Sequence, residues 1–210
     1  SLLHILALLS LVIGVFTHCG YVRNTTNPKG GRGRRMIIGG EKVKSASYWP
    51  WQVAVQVYGL NGTTEEYEWR KNCGGTVIAE RWILTAAHCI KYWNKYRIVG
   101  DTLNANTGRA SDSTLISDVA RAILHEGYQN LLKNKTTKGT LFNDIALLEL
   151  NDTLAFNDIV EPICLPSREK IIPEYGTTIA VGFGQSNGAE PSTREILVQD
   201  GILARANHHS

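Results

Sequence analysis

The chain has 210 residues, 43% of them apolar and 20% charged, enough to bury one good core or two small ones and unlike a disordered or collagen-like polymer. Its formal net charge is +3, and the excess is concentrated at Lys29, Arg32, Arg34 and Arg35 rather than spread over a face, which argues against nucleic-acid binding.

Taken in chain order, residues 2–16, LLHILALLSLVIGVF, form an apolar run of the length of a secretory leader core. The run is shorter than the roughly 20 residues a membrane-crossing helix needs. Residues 1–17 are therefore read as a signal peptide, the mature protein as secreted and extracellular, and no membrane partner is expected. The chain opens on Ser1 with no basic segment before the apolar run, so it is expected to be incomplete at its start. Residues 18–36 contain a polar, Gly-rich stretch, Arg23 to Arg35, whose composition cannot bury a core.

From Ile37 onward, short β-branched and aromatic runs recur between turn residues: WQVAVQVY, TVIAERWILTA, YRIVG, LISDVARAIL, DIALLEL and TTIAVGFG. Such spacing predicts an all-β barrel or sandwich. The one helical signal, AAHCIKYW, predicts a turn or two. The polar stretches Gly59 to Arg70, Asn104 to Ser113 and Asn134 to Thr140 are expected as loops or hairpin tips. Asn24, Asn61, Asn134 and Asn151 each open an N-x-T sequon, a glycosylation signal that belongs on the surface of a secreted protein. Asp101 and Asp112 are the acidic residues around the second of these loops, too few to predict a metal, and the terminal His208 and His209 read as a solvated tail. No cofactor is expected.

The richest stretch is CGGTVIAERWILTAAHC, Cys73 to Cys89. It sets His88 between a β-branched strand and a cysteine able to pin it, the condition a general base needs if its imidazole is to keep one orientation. Cys73 and Cys89 would close a short loop. The chain holds 4 cysteines, which allow three pairings, and the residues alone do not choose among them.

The run resembles the block around the catalytic histidine of the trypsin-like serine proteases, residue for residue at TAAHC. Further pieces follow in that family's order: IIGG at Ile37, WPWQVAV at Trp49, HEGY at His125, FNDIALLEL at Phe142, EPICLP at Glu161 and VGFGQ at Val181. The resemblance covers residues 37 to about 200. It implies a two-barrel fold, with the first barrel complete and the second only partly present in residues 37–210. It also implies that His88 is the general base, that Asp144 orients it, and that Cys19 pairs with Cys164 while Cys73 pairs with Cys89. Residues 18–36 become an activation peptide, and Ile37 the amino terminus freed on activation. Met36 departs from the Arg or Lys usual before that isoleucine, so a cut after Arg35 would leave the new terminus one residue too long. Phe183 stands where the family usually has tryptophan, a packing change expected to be mild.

No GDSGG segment occurs in these residues. By resemblance, the nucleophilic serine, the oxyanion hole, the specificity pocket and the aspartate that receives the new terminus are all missing, so a polypeptide of these residues alone is expected to be inactive. The expected function is that of a secreted serine endopeptidase represented by a C-terminally truncated fragment. Its partners would be a protein or peptide substrate, an activating protease and protein protease inhibitors. The alternative is a catalytically inactive homologue acting as a secreted binding or decoy protein.

Overall fold

The computed structural model describes residues 19–20, 41–43, 45–91, 94–102, 115–130, 141–167, 175–183 and 196–204. The leader, nearly all of the activation peptide, Ile37, Met36, Asn24, Asn134 and the loop Asn104 to Ser113 lie outside the described residues.

Eleven strands are formed among the described residues: β1 (Glu41–Lys42), β2 (Gln52–Leu60), β3 (Tyr67–Ala79), β4 (Trp82–Thr85), β5 (Tyr96–Val99), β6 (Ile116–Leu124), β7 (Gln129–Asn130), β8 (Leu141–Phe142), β9 (Ala146–Leu150), β10 (Tyr175–Phe183) and β11 (Ile196–Ala204). Six of them close into an antiparallel barrel in the order β2-β3-β4-β9-β6-β5. The expected all-β class and first barrel are thus present, and closure leaves this barrel no free strand edge. Strands β1, β11 and β10 form a separate three-stranded sheet, where part of a second barrel was expected. Among the described residues no helix is long and apolar enough to cross a membrane.

Strand alternation explains the barrel interior. Val53, Val55, Val77, Ile83, Ile98, Leu148 and Leu150 are fully buried and point inward, each burial contributing roughly 1.5–3 kcal/mol. Gly75 sits among them because a Cβ there would come within 2.7 Å of Ile83 Cγ2. On the outer face of β2 and β5, Ala54 and Val99 are also fully buried, because Phe183 of β10 and Ile116 pack over them. Lys71 lies 5.7 Å from the Phe183 ring centre and donates to the Phe183 carbonyl at 3.3 Å. The phenylalanine therefore keeps a packing role at the contact between barrel and sheet.

One expectation changes. The stretch Gly59 to Arg70 is a loop only over residues 61–66, because β2 runs to Leu60 and β3 starts at Tyr67, pairing Leu60 with Tyr67 and Tyr58 with Trp69. Aromatic and aliphatic side chains opposed across the ladder extend the hairpin into residues that look polar when read singly. The expected helical turn is one 3-10 turn, Ala87–Cys89.

Two disulfides, Cys73–Cys89 and Cys19–Cys164, have Cα separations of 6.1 and 5.0 Å, the pairings that the resemblance implies. Gly20 accompanies the second. Its φ of 68° is in the left-handed region, and a Cβ there would meet Cys164 Sγ at 3.1 Å, so glycine lets the chain pass the bridge.

Candidate active site

Register brings the two expected site residues together. Strands β4 and β9 are antiparallel with Thr85 opposite Ala146, so the chain leaving β4 and the chain entering β9 run off the same rim of the barrel. His88 lies three residues beyond Thr85 and Asp144 two before Ala146. They meet there although 56 positions apart in sequence.

The carboxylate of Asp144 grips His88 at two points. Oδ1 accepts the His88 main-chain N–H at 2.8 Å, and Oδ2 lies 2.7 Å from Nδ1 of the same residue. An ionised carboxylate can only accept, so the tautomer assigned from this contact carries its proton on Nδ1 and leaves Nε2 with a free lone pair. Nε2 lies 3.5 Å from Cys89 Sγ, a disulfide sulfur with no proton to donate. Side-chain exposure is 47% for His88 and 22% for Asp144, so the base is open to solvent and its anchor is sheltered. Partial desolvation pushes the Asp144 carboxyl upward. Hydrogen bonds from the His88 ring and main chain, the ring's charge and the Ala87 N–H outweigh it, and hold the group below its usual range.

Several residues that the sequence reading did not single out hold this pair in place. Thr85 donates from Oγ1 to the Gly74 carbonyl at 2.9 Å, fixing the end of β4. The Asn72 amide donates to the Cys89 carbonyl at 2.6 Å, just beyond His88. Tyr96 OH accepts from the Lys91 N–H at 2.7 Å, and its single proton lies between the carbonyls of Cys89 and Lys91. On the aspartate side, Asn143 adopts φ of 51° and donates from Nδ2 to the Gly127 carbonyl at 2.9 Å. Asparagine tolerates this left-handed turn, which aims the next residue back across the rim. The Asn-Asp pair before a strand was the one local signal for it; the partners of Asn72 and Tyr96 across the disulfide loop leave none.

The donor atoms of Cys73, His88 and Cys89 lie within 4.8 Å of one another, but both sulfurs are consumed in the disulfide and supply no thiolate for a metal. Of the sequons in described residues, Asn151 is exposed just after β9. Asn61 opens the β2–β3 turn, with its amide donating to Glu68 at 2.6 Å and its oxygen accepting the Thr63 N–H at 2.9 Å.

An imidazole about half exposed to solvent, with one nitrogen fixed by a half-buried carboxylate, can take a proton from a hydroxyl nucleophile and return it to a leaving group. A protein-family profile described as Trypsin matches residues 37–204. Coagulation factor IX of Cavia porcellus is 37% identical over 165 residues, covering 77% of this chain and 51% of that protein, so the chain spans about half the length of this relative. A solved structure of GrC shares the fold with a TM-score of 0.61 at 21% identity, covering 77% of this chain and 63% of that one. On the profile match and the factor IX identity together, this chain belongs to the trypsin family of serine proteases.

Proposed function

We propose that the chain is part of a secreted serine endopeptidase in which His88 is the general base and Asp144 the residue that orients it. The nucleophilic serine, oxyanion hole and specificity pocket would come from sequence beyond these 210 residues. In that scheme the serine Oγ attacks the scissile carbonyl while Nε2 of His88 takes its proton. Nε2 later gives the proton to the leaving amine, and Asp144 stabilises the imidazolium formed between the two steps. The observation that carries this reading is the double capture of His88 by one carboxylate, at 2.7 and 2.8 Å. A turn carboxylate with only a structural role would need neither the ring contact nor its alignment.

Substrates would be proteins or peptides. Residues 1–17 would be a leader and residues 18–36 an activation peptide, with cleavage freeing Ile37 after trimming of Met36. The Cys19–Cys164 bridge, closing a loop 145 residues long in sequence, would keep the activation peptide attached after that cut. The two disulfides support passage through an oxidising compartment and an extracellular destination.

The test is to read the coding sequence past the codon for Ser210. A continuation carrying a Gly-Asp-Ser-Gly-Gly segment is the expected result. A stop codon at that point would overturn the hydrolase assignment for this product and favour a non-catalytic secreted homologue.

A further inference from the structure

The chemistry above leaves the tip of the β2–β3 hairpin unused, and that tip holds the pair Asn61–Gly62. Asparagine is among the thermally labile side chains, and its main weakness is attack on its own Cγ by the main-chain nitrogen of the next residue. Two conditions decide whether a fold permits that attack: the nitrogen must be free and unshielded, and the amide must lie over it. Gly62 meets the first. It is exposed, its N–H makes no hydrogen bond among the described residues, and a Cβ on it would find nothing within 4 Å. Asn61 meets the second. Its Oδ1 accepts the Thr63 N–H at 2.9 Å, a contact that folds the amide back over the intervening Gly62 peptide.

The rest of the turn keeps this electrophile in place. The Asn61 N–H donates to the Glu66 carbonyl, and the Asn61 carbonyl accepts the Glu65 N–H, both at 2.8 Å. The Thr63 N–H also stands ready for the negative charge that grows on Oδ1 when a nucleophile adds to Cγ, as an oxyanion-binding donor does. Nδ2 donates to Oε1 of the exposed Glu68 at 2.6 Å. The amide therefore faces a carboxylate that accepts its N–H and would repel a second carboxylate.

We propose that Asn61–Gly62 is a self-modifying site: in chains carrying no glycan there, the folded turn converts Asn61 to isoaspartate and aspartate and opens the tip of the hairpin. Gly62 N gives its proton to a solvent base and bonds to Asn61 Cγ. The Cγ–Nδ2 bond breaks, ammonia leaves with a proton taken from water, and a succinimide ring is closed. Water then adds to either ring carbonyl. Addition at Cγ breaks its bond to Gly62 N and yields aspartate; addition at the main-chain carbon breaks the original peptide bond and yields isoaspartate, with the chain running through the side chain. Overall one water enters and one ammonia leaves, with no oxidation or reduction. The product opposes Glu68 with a second carboxylate and, as isoaspartate, lengthens the backbone between the bonds to Glu65 and Glu66. Nδ2 is also the atom a glycan would occupy in the Asn61-Gly62-Thr63 sequon, so sugar and cyclisation exclude each other. The site does not depend on the hydrolytic reading.

The experiment uses the secreted protein before activation, both disulfides intact, carrying Thr63→Ala, which removes the sequon and keeps the main-chain N–H. It is incubated in neutral buffer, and its peptides are mapped by mass spectrometry with fragmentation that separates isoaspartate from aspartate. Isoaspartate in excess over aspartate is expected at position 61, formed at least as fast as in the same protein reduced and unfolded in urea. Adding Gly62→Ala, which fits the open space around that residue, should slow the reaction roughly tenfold or more, because a Cβ obstructs the attacking nitrogen. Hydrogen exchange of the Glu65 N–H should quicken roughly tenfold in the modified protein. A slower reaction in the fold than out of it would show that the turn protects Asn61, and aspartate without isoaspartate would show direct hydrolysis. Either result, or a rate that ignores Gly62→Ala, would overturn the proposal; unchanged exchange would overturn the opening of the hairpin.

Discussion

Gly75→Ala tests the packing beneath the site. The added methyl would lie 2.7 Å from Ile83 Cγ2, 3.1 Å from Val55 Cγ2 and 3.2 Å from Val53 Cγ2, and all three neighbours are fully buried with nowhere to turn. Overpacking of this kind costs about 1–3 kcal/mol. Loss of glycine's freedom in the unfolded chain offsets about 0.4–1 kcal/mol, leaving a net destabilisation of about 1–2 kcal/mol. With a urea slope of about 1–3 kcal/mol/M, the midpoint should fall by about 0.5–1 M with the slope unchanged. The strain has a route to His88, because Gly74 next door accepts the Thr85 hydroxyl at the end of β4. Repeating the substitution in an Ile83→Ala background removes the closest methyl, and most of the cost should disappear, a coupling of about 1 kcal/mol. A neutral or stabilising Gly75→Ala, or the same cost in both backgrounds, would refute the steric reasoning.

Replacing Cys73 and Cys89 together by serine opens a loop with a sequence separation of 16, and urea unfolding should show a loss of about 3 kcal/mol. The low-field proton resonance of His88 Nδ1 should nonetheless persist in that variant, because Asn72 and Tyr96 still hold the Cys89 and Lys91 main chain; its disappearance would make the disulfide the sole support. Asp144 has a carboxyl held below its usual range in the fold, so its contribution is whole above the unfolded-chain value of about 4 and fades as pH falls through the folded value. The stability gap between wild type and Asp144→Asn should accordingly be widest near neutral pH and close in acid, and a gap that widens on acidification would contradict the assignment. Gly127→Ala would set a methyl 2.9 Å from Asn143 Nδ2 and break its bond to the Gly127 carbonyl. About 1 kcal/mol of stability should be lost, together with a shift in the His88 Nδ1 proton resonance; an unmoved resonance would show that Asn143 does not steer Asp144.

The barrel strands were readable because their inward residues are β-branched or aliphatic over whole runs, as in Val53, Val55, Val77, Ile83 and Leu148. The His88 and Asp144 blocks were readable through family resemblance, since nothing local in either says that positions 56 apart share one rim. Their juxtaposition is a property of register, Thr85 opposite Ala146, which only the closed barrel defines. The same limit hid the outer half of the β2–β3 hairpin: Glu68 and Arg70 look like loop residues until Tyr58 and Leu60 are seen facing Trp69 and Tyr67. It also hid Asn72, whose acceptor lies 17 residues away across the disulfide. Strand β11, Ile196–Ala204, went unnamed because its apolar residues are interrupted by Gln199, Asp200 and Gly201, and its partner β10 is what orders it. The Cys19–Cys164 bridge spans 145 positions, and with three pairings open, resemblance alone pointed to it.

The most direct test of the catalytic assignment is covalent labelling of the activated, full-length secreted protein with a fluorophosphonate, comparing wild type with His88→Ala. One modified serine in wild type is expected, with labelling slowed by at least a thousandfold in the variant, because the hydroxyl has lost its base. An absence of labelling in wild type, or equal rates in the two proteins, would contradict the role of His88 as general base.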